Sequence, residues 1–67
     1  MKISLNNRQE TFKQTSLTIN ELLKEKNFTF KFLVIKVNGK LIKKENYDDT
    51  VIKNGDDVAV VHLISGG

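Results

Sequence analysis

Four residues, Thr18-Ile19-Asn20-Glu21, constrain the fold of this chain more than any others. They read as a capping box, in which the Thr18 hydroxyl accepts the Glu21 amide proton while the Glu21 carboxylate reaches back to the Thr18 amide. Leu17 before the cap and Leu22 in the first turn stand where a hydrophobic staple closes. Ile19, Leu22 and Leu23 recur at helical spacing, so the helix has one apolar face that must pack on a sheet. It is short, ending near Lys26 with Asn27 as a left-handed cap.

Strand patterns lie on both sides of this helix. Lys2-Ile3-Ser4-Leu5-Asn6 alternates, placing Ile3 and Leu5 on one face. Asn6-Asn7-Arg8 is a tight-turn signal, because asparagine tolerates the left-handed conformation. Residues 9–14 then return as a second arm, with Phe12 as its core residue. After the helix, Leu33, Ile35 and Val37 form the inward face of a strand. Asn38-Gly39 is the strongest short hairpin signal in the chain, and it leads to a short strand at Lys40-Leu41-Ile42. Residues 46–50 read as an irregular turn or a single helical turn, with Tyr47 covering one end of the core. Asn54-Gly55-Asp56-Asp57 is another turn, followed by a last strand from Val58 to Ile64 whose Val58 and Val60 face the helix. The order is β-β-α-β-β-β, an α+β domain with one helix crossing a mixed sheet. With the first and last strands as parallel neighbours at the centre, this is the β-grasp, or ubiquitin-like, arrangement.

Three phenylalanines, Phe28, Phe30 and Phe32, fall on one side of an extended segment. Phe28 closes the helix end. Phe32 is expected in the core, whereas Phe30 reads equally as core or as partner surface.

Sixty-seven residues make one domain, spanning 1–67, with residues 64–67 as a flexible tail. The absence of cysteine removes disulfides, thiolate metal sites and cysteine nucleophiles at once. A fold this small without such staples depends on a compact core of sheet and helix. The net charge is +3, but the eleven bases and eight acids are intermixed, so no nucleic-acid partner is expected. The densest basic stretch, Lys36, Lys40, Lys43 and Lys44, reads as a solvated hairpin whose lysines guard a strand edge. A long apolar span and a signal-peptide pattern are both missing, so a cytoplasmic protein without a membrane partner is expected.

Enzymatic chemistry finds little support. One histidine and no cysteine make a zinc site, or any other metal site, an unpromising reading. Neither Gly39 nor Gly55 belongs to a phosphate-binding loop. His62 has no triad partner and reads as a strand surface residue, and Asp56-Asp57 reads as turn geometry. No catalytic residue is assigned. What remains is Ile64-Ser65-Gly66-Gly67. Glycine lacks a Cβ, so such a tail threads a channel too narrow for side chains and leaves the Gly67 carboxylate unhindered. The plainer reading of two terminal glycines alone is a frayed end.

Taken together, Asn38-Gly39, Asn54-Gly55-Asp56 and an apolar strand running into Ser65-Gly66-Gly67 resemble the thiamine-biosynthesis sulfur-carrier family, ThiS. The resemblance spans nearly the whole chain and includes the Thr-capped helix with its Leu22-Leu23 pair. Tyr47 stands where that family commonly has tryptophan, and Lys43-Lys44 where it commonly has Pro-Arg. The resemblance implies a β-grasp carrier that is a substrate of other enzymes. A ubiquitin-activating-type adenylyltransferase would use Mg-ATP to convert the Gly67 carboxylate to an acyl-adenylate. Sulfur from a persulfide-bearing donor would then replace AMP to give a thiocarboxylate, for use by thiazole synthase. Ile64 and Ser65 would lie towards the mouth of the partner's channel, with Gly66 and Gly67 inside it. The chain itself would hold no cofactor. Because it has no thiol, the C-terminal carboxyl is the atom group left to carry sulfur, and a carboxylate is a poor electrophile until adenylated. Ending at Gly67, the carrier would need no trimming.

Three other readings stand beside this one. The small subunit of molybdopterin synthase shares the fold and tail but is usually longer, often with proline before the glycines, and this chain has none. A ubiquitin-related modifier would instead form isopeptide bonds through Gly67. A non-covalent binding module, basic enough to hold RNA, would make the glycines incidental, and its affinity would survive deletion of Gly67.

Overall fold

The computed structural model of the chain describes residues 1–28 and 32–63. Its elements run β1 (Lys2–Leu5), β2 (Arg8–Thr11), β3 (Ser16–Thr18), α1 (Ile19–Glu25), β4 (Leu33–Val37), β5 (Lys40–Ile42), a 3-10 turn at Lys44–Asn46, β6 (Val51–Lys53) and β7 (Asp57–His62). Five strands form one mixed sheet in the order β2-β1-β7-β4-β5. The first and last strands are parallel neighbours, with Ser4 beside Asp57 and Leu5 beside Val58. On its other side β7 runs antiparallel to β4, from Leu33 opposite His62 to Val37 opposite Val58. This is the β-grasp arrangement read from the sequence.

Local chemistry explains why the elements begin and end where they do. The capping box forms: the Glu21 amide donates to Thr18 Oγ1 at 3.1 Å, and the Thr18 amide donates to Glu21 Oε1 at 2.8 Å. At the other end Asn27 takes a φ of 56°. The Asn27 amide donates to the Lys24 carbonyl and the Phe28 amide to the Leu23 carbonyl, at 3.2 and 2.8 Å. Those two bonds close a Schellman motif around a left-handed residue. The hairpins obey the same logic. Asn6 and Asn7 have φ of 51° and 66°, and Asn38-Gly39 have 52° and 82°. Positive φ at both central residues gives the turn whose twist matches the flanking strands.

The core lies between α1 and one face of the sheet. Ile19, Leu22, Ile35, Ile52 and Val58 are fully buried, joined by Ile3, Leu5, Phe12, Leu17, Tyr47 and Val60. Tyr47 therefore belongs to the core, as its expected place at one end implied. Leu33 and Val37 pack against this cluster while partly exposed, as does Phe28.

Two features depart from the sequence reading. A second sheet is present: β3 pairs antiparallel with β6, with Leu17 opposite Ile52. Leu17 is thus both the residue before the helix cap and a strand residue that buries Ile52 beside it. Phe32 is also corrected. It was expected in the core but is 52% exposed. Alternation from Phe28 presumes continuous extended chain, whereas Phe28 belongs to the helix cap and Phe32 sits just before β4. Phe30 lies outside the described residues.

The pole where the turns meet is tied by side chains. Asn38 Oδ1 accepts from the Asp57 amide at 2.9 Å and Asn38 Nδ2 donates to Asp56 Oδ1 at 3.1 Å. Asp56 Oδ2 accepts from the Lys53 amide at 2.9 Å. Asp56 therefore serves turn geometry, as read from the sequence, and joins the 38–39 hairpin to the 54–56 turn. An ion pair, Lys26 Nζ to Glu10 Oε1 at 2.9 Å, links the helix end to β2.

Candidate functional site

The last strand aims the C-terminal arm. It is the centre of the sheet, and its Val58 and Val60 side chains are buried under the helix. Pairing with β4 holds it as far as His62, and the Leu63 amide then donates to the Phe32 carbonyl at 3.0 Å. Leu63 is the last described residue, at the opposite end of β7 from the turn pole. Ile64, Ser65, Gly66 and Gly67, the residues expected to enter a partner's channel and to be modified, lie outside the described residues.

Around this end the sheet is apolar on the face away from the helix. Side chains alternate along a strand, so the residues of β4 and β7 that do not face α1 are Val34, Lys36, Asp57, Ala59 and Val61. Val34 stands directly opposite Val61, and Lys36 lies between Ala59 and Leu41. Val61 is 50% exposed, Leu41 56% and Leu63 49%. Among the described residues no helix covers this side. The signal for it is present in the sequence: residues 33–35 of β4 and 58–61 of β7 are apolar at successive positions where a half-buried strand would alternate, although the helix covers only one face.

An open groove of about 740 Å³ adjoins the same end of β7, with Leu23, Phe28, Phe32, Leu33, Leu41 and Leu63 among its walls. Lys43 and Lys44 also line it. Lys36, Lys40, Lys43 and Lys44 are all exposed, on and beside the β4–β5 hairpin, and β5 is an edge strand. That placement fits lysines that keep a sheet edge from pairing with another chain. His62 is exposed at the end of β7. Among the described residues, no three side chains of the histidine, aspartate or glutamate type gather as a metal site. Among the described residues no helix is long and apolar enough to cross a membrane. The described part of the site is thus a sheet platform with an apolar face beside the C-terminal end of β7.

Known proteins share this design. A solved structure of the thiamine biosynthesis protein ThiS from Geobacter metallireducens superposes with a TM-score of 0.90, at 28% identity and with all of both chains covered. A solution structure of a thiamine biosynthesis protein from the same organism gives 0.81, also at 28% identity, covering all of this chain and 88% of that one. The sulfur carrier protein ThiS of Bacillus subtilis is 28% identical over 65 residues, which is 97% of this chain and 98% of that protein. An uncharacterized protein, ycf40, of Trieres chinensis is 28% identical over 61 residues, 91% of this chain and 84% of its own length. The ThiS family model matches residues 3–67, from the first strand through both terminal glycines. The chain belongs to the ThiS family.

Proposed function

We propose that this protein carries sulfur for thiazole formation in thiamine biosynthesis, as a protein co-substrate and not as a catalyst. The observation that carries the reading is the family match through Gly67 in a chain that contains no thiol. Without cysteine, the atom group left to hold transferable sulfur is a C-terminal carboxyl. An adenylating partner of the ubiquitin-activating type, using Mg-ATP, makes the Gly67 carboxylate electrophilic by converting it to an acyl-adenylate with release of pyrophosphate. The terminal sulfur of a persulfide-bearing protein displaces AMP to form an acyl disulfide, a thiol reductant supplies the two electrons that cleave its S–S bond, and the thiocarboxylate so released is the sulfur donor to thiazole synthase. Gly66 and Gly67 suit a narrow channel because they present no side chains. Ile64 and Ser65 follow them to its mouth. The thiamine pathway is preferred to the molybdopterin one because the similar solved structures are named for thiamine biosynthesis.

The platform has its own part in this reading. The exposed face of Val34, Leu41 and Val61 adjoins the exit of the arm and is the surface we assign to the adenylating partner. Covering exposed apolar side chains there contributes binding energy that the glycines cannot supply.

Intact mass measurement tests the proposal. The protein is incubated with Mg-ATP, the candidate activating enzyme, a persulfide donor and a thiol reductant. The expected result is a gain equal to exchange of one oxygen for sulfur, absent when Gly67 is deleted. No gain, with an activating enzyme proven on another carrier, would overturn the reading and leave the tail a frayed end.

A further inference from the structure

Strand β1 stops pairing with β7 before β7 has finished. The parallel ladder runs through Ser4 and Leu5, after which the chain turns away at Asn6-Asn7. The Asn6 amide still donates to the Val58 carbonyl at 2.9 Å. In a continuing parallel ladder, two further groups would bond to Val60: the Asn6 carbonyl accepting its amide proton, and the amide two residues later donating to its carbonyl. Neither is supplied by the backbone here. Instead the Val60 amide donates to Asn6 Oδ1 at 2.8 Å, and Asn6 Nδ2 donates to the Val60 carbonyl at 3.1 Å. A carboxamide is a peptide group in miniature, with one acceptor and donor hydrogens on the same plane. The Asn6 side chain therefore stands in for one peptide unit of a strand that is no longer there.

We infer that Asn6 is a positioning residue for the C-terminal arm, its carboxamide holding β7 on the β1 side as far as Val60 and so setting the direction in which the arm leaves the sheet. Two demands meet in this one residue. Its φ of 51° favours asparagine or glycine, and the bond pair at Val60 needs a donor and an acceptor together. Glycine meets the first demand alone and aspartate lacks the donor. Leverage makes the clamp matter. Gly67 is four residues beyond Leu63, the last residue bonded to the β4 side, a maximum reach of roughly 14 Å. A change in strand direction of about 10° moves the far end of a span that long by up to about 2 Å.

The inference rests on the carrier reading for its functional part, and the test separates the two. Asn6→Gly keeps a residue suited to positive φ while deleting the clamp, so the turn survives. Hydrogen exchange at the Val60 amide should then accelerate on the order of tenfold, with exchange at Ile35 and Leu22 unchanged. In adenylation by the activating partner, the KM for the carrier should rise roughly fivefold while kcat at saturating carrier stays the same. A lower fraction of correctly directed arms weakens apparent binding by that fraction and leaves the bound complex intact. Asn6→Asp, retaining only the acceptor, should be impaired as well, whereas a turn-only role would leave it near wild type. Unchanged Val60 exchange in Asn6→Gly overturns the clamp whatever the partner does. Accelerated exchange with an unchanged KM overturns the positioning role. If the wild-type chain is not adenylated at all, the carrier reading fails, and Val60 exchange still decides whether the clamp exists.

Discussion

Replacing Ile52 by alanine tests whether the small second sheet belongs to the core or only borders it. Ile52 is in the three-residue strand β6, opposite Leu17, and is fully buried. Alanine removes three carbons, a transfer loss of about 2.4 kcal/mol at ~0.8 kcal/mol each. Incomplete collapse of the cavity adds to this, so the expected loss is about 3 kcal/mol, within the range of ~2–5 for such truncations. A domain of this size has a total stability of roughly 3–10 kcal/mol. The variant should therefore melt at least ~12 °C lower, at ~4–8 °C per kcal/mol. Urea unfolding followed by far-ultraviolet circular dichroism measures the change, with the slope checked for constancy so that the midpoint reports stability. Val51, its neighbour in the same strand, is 44% exposed, and Val51→Ala should cost less than about 1 kcal/mol. Should Ile52→Ala fail to fold, Ile52→Val should still cost ~0.5–1.5 kcal/mol. Equal losses for Ile52→Ala and Val51→Ala, or a loss below about 1 kcal/mol for the former, would refute the placement of β6 in the core.

Thr18→Ala removes one arm of the capping box of a seven-residue helix and should cost about 1 kcal/mol, read from the same urea curves. Combined with Glu21→Ala it should be less than additive, because the two side chains share one motif. Val61→Glu places a charge on the uncovered sheet face. It should change stability by less than about 1 kcal/mol yet raise the KM for the carrier in adenylation by about tenfold or more, and an unchanged KM would remove that face from the docking surface. Gly66→Val should block adenylation by adding a β-branched side chain inside the channel, with unfolding curves unchanged. One residue added beyond Gly67 should abolish sulfur transfer without altering stability, and an active extended protein would refute the carrier reading.

What the sequence shows of this fold follows from how local each determinant is. The Thr18–Glu21 cap, the left-handed Asn27 and the Asn38-Gly39 hairpin are each specified within a few residues, so they are legible without knowing the partner strand. Strands β1, β4 and β7 are legible because four to six residues suffice to show a period or an apolar run. The β3–β6 pair is not. Each strand has three residues with one buried side chain, and three residues define no period. Only the folded chain brings Leu17 and Ile52 together across the long sequence between them. Phe32 failed for a related reason: alternation was carried across a segment adjoining a helix cap.

The site divides along the same line. The terminal glycines are singled out through the family resemblance and lie outside the described residues, whereas the apolar stretches of β4 and β7 could have shown that both faces of the sheet carry apolar side chains while one helix covers a single face. Asn6 could not have been read so. As a turn residue it looks fully explained by its backbone, and nothing nearby in sequence hints that its carboxamide bonds Val60. The bond spans almost the whole chain, joining the first turn to the strand that bears the arm. A carrier that presents its terminus needs a rigid strand beneath a free end. In a chain this short, where the first strand must turn back to form its own hairpin, one side chain can supply the missing peptide unit. The turn sequence and the direction of the arm are then a single constraint, so substitutions at Asn6 should be judged by their effect on Val60 before any effect on the hairpin.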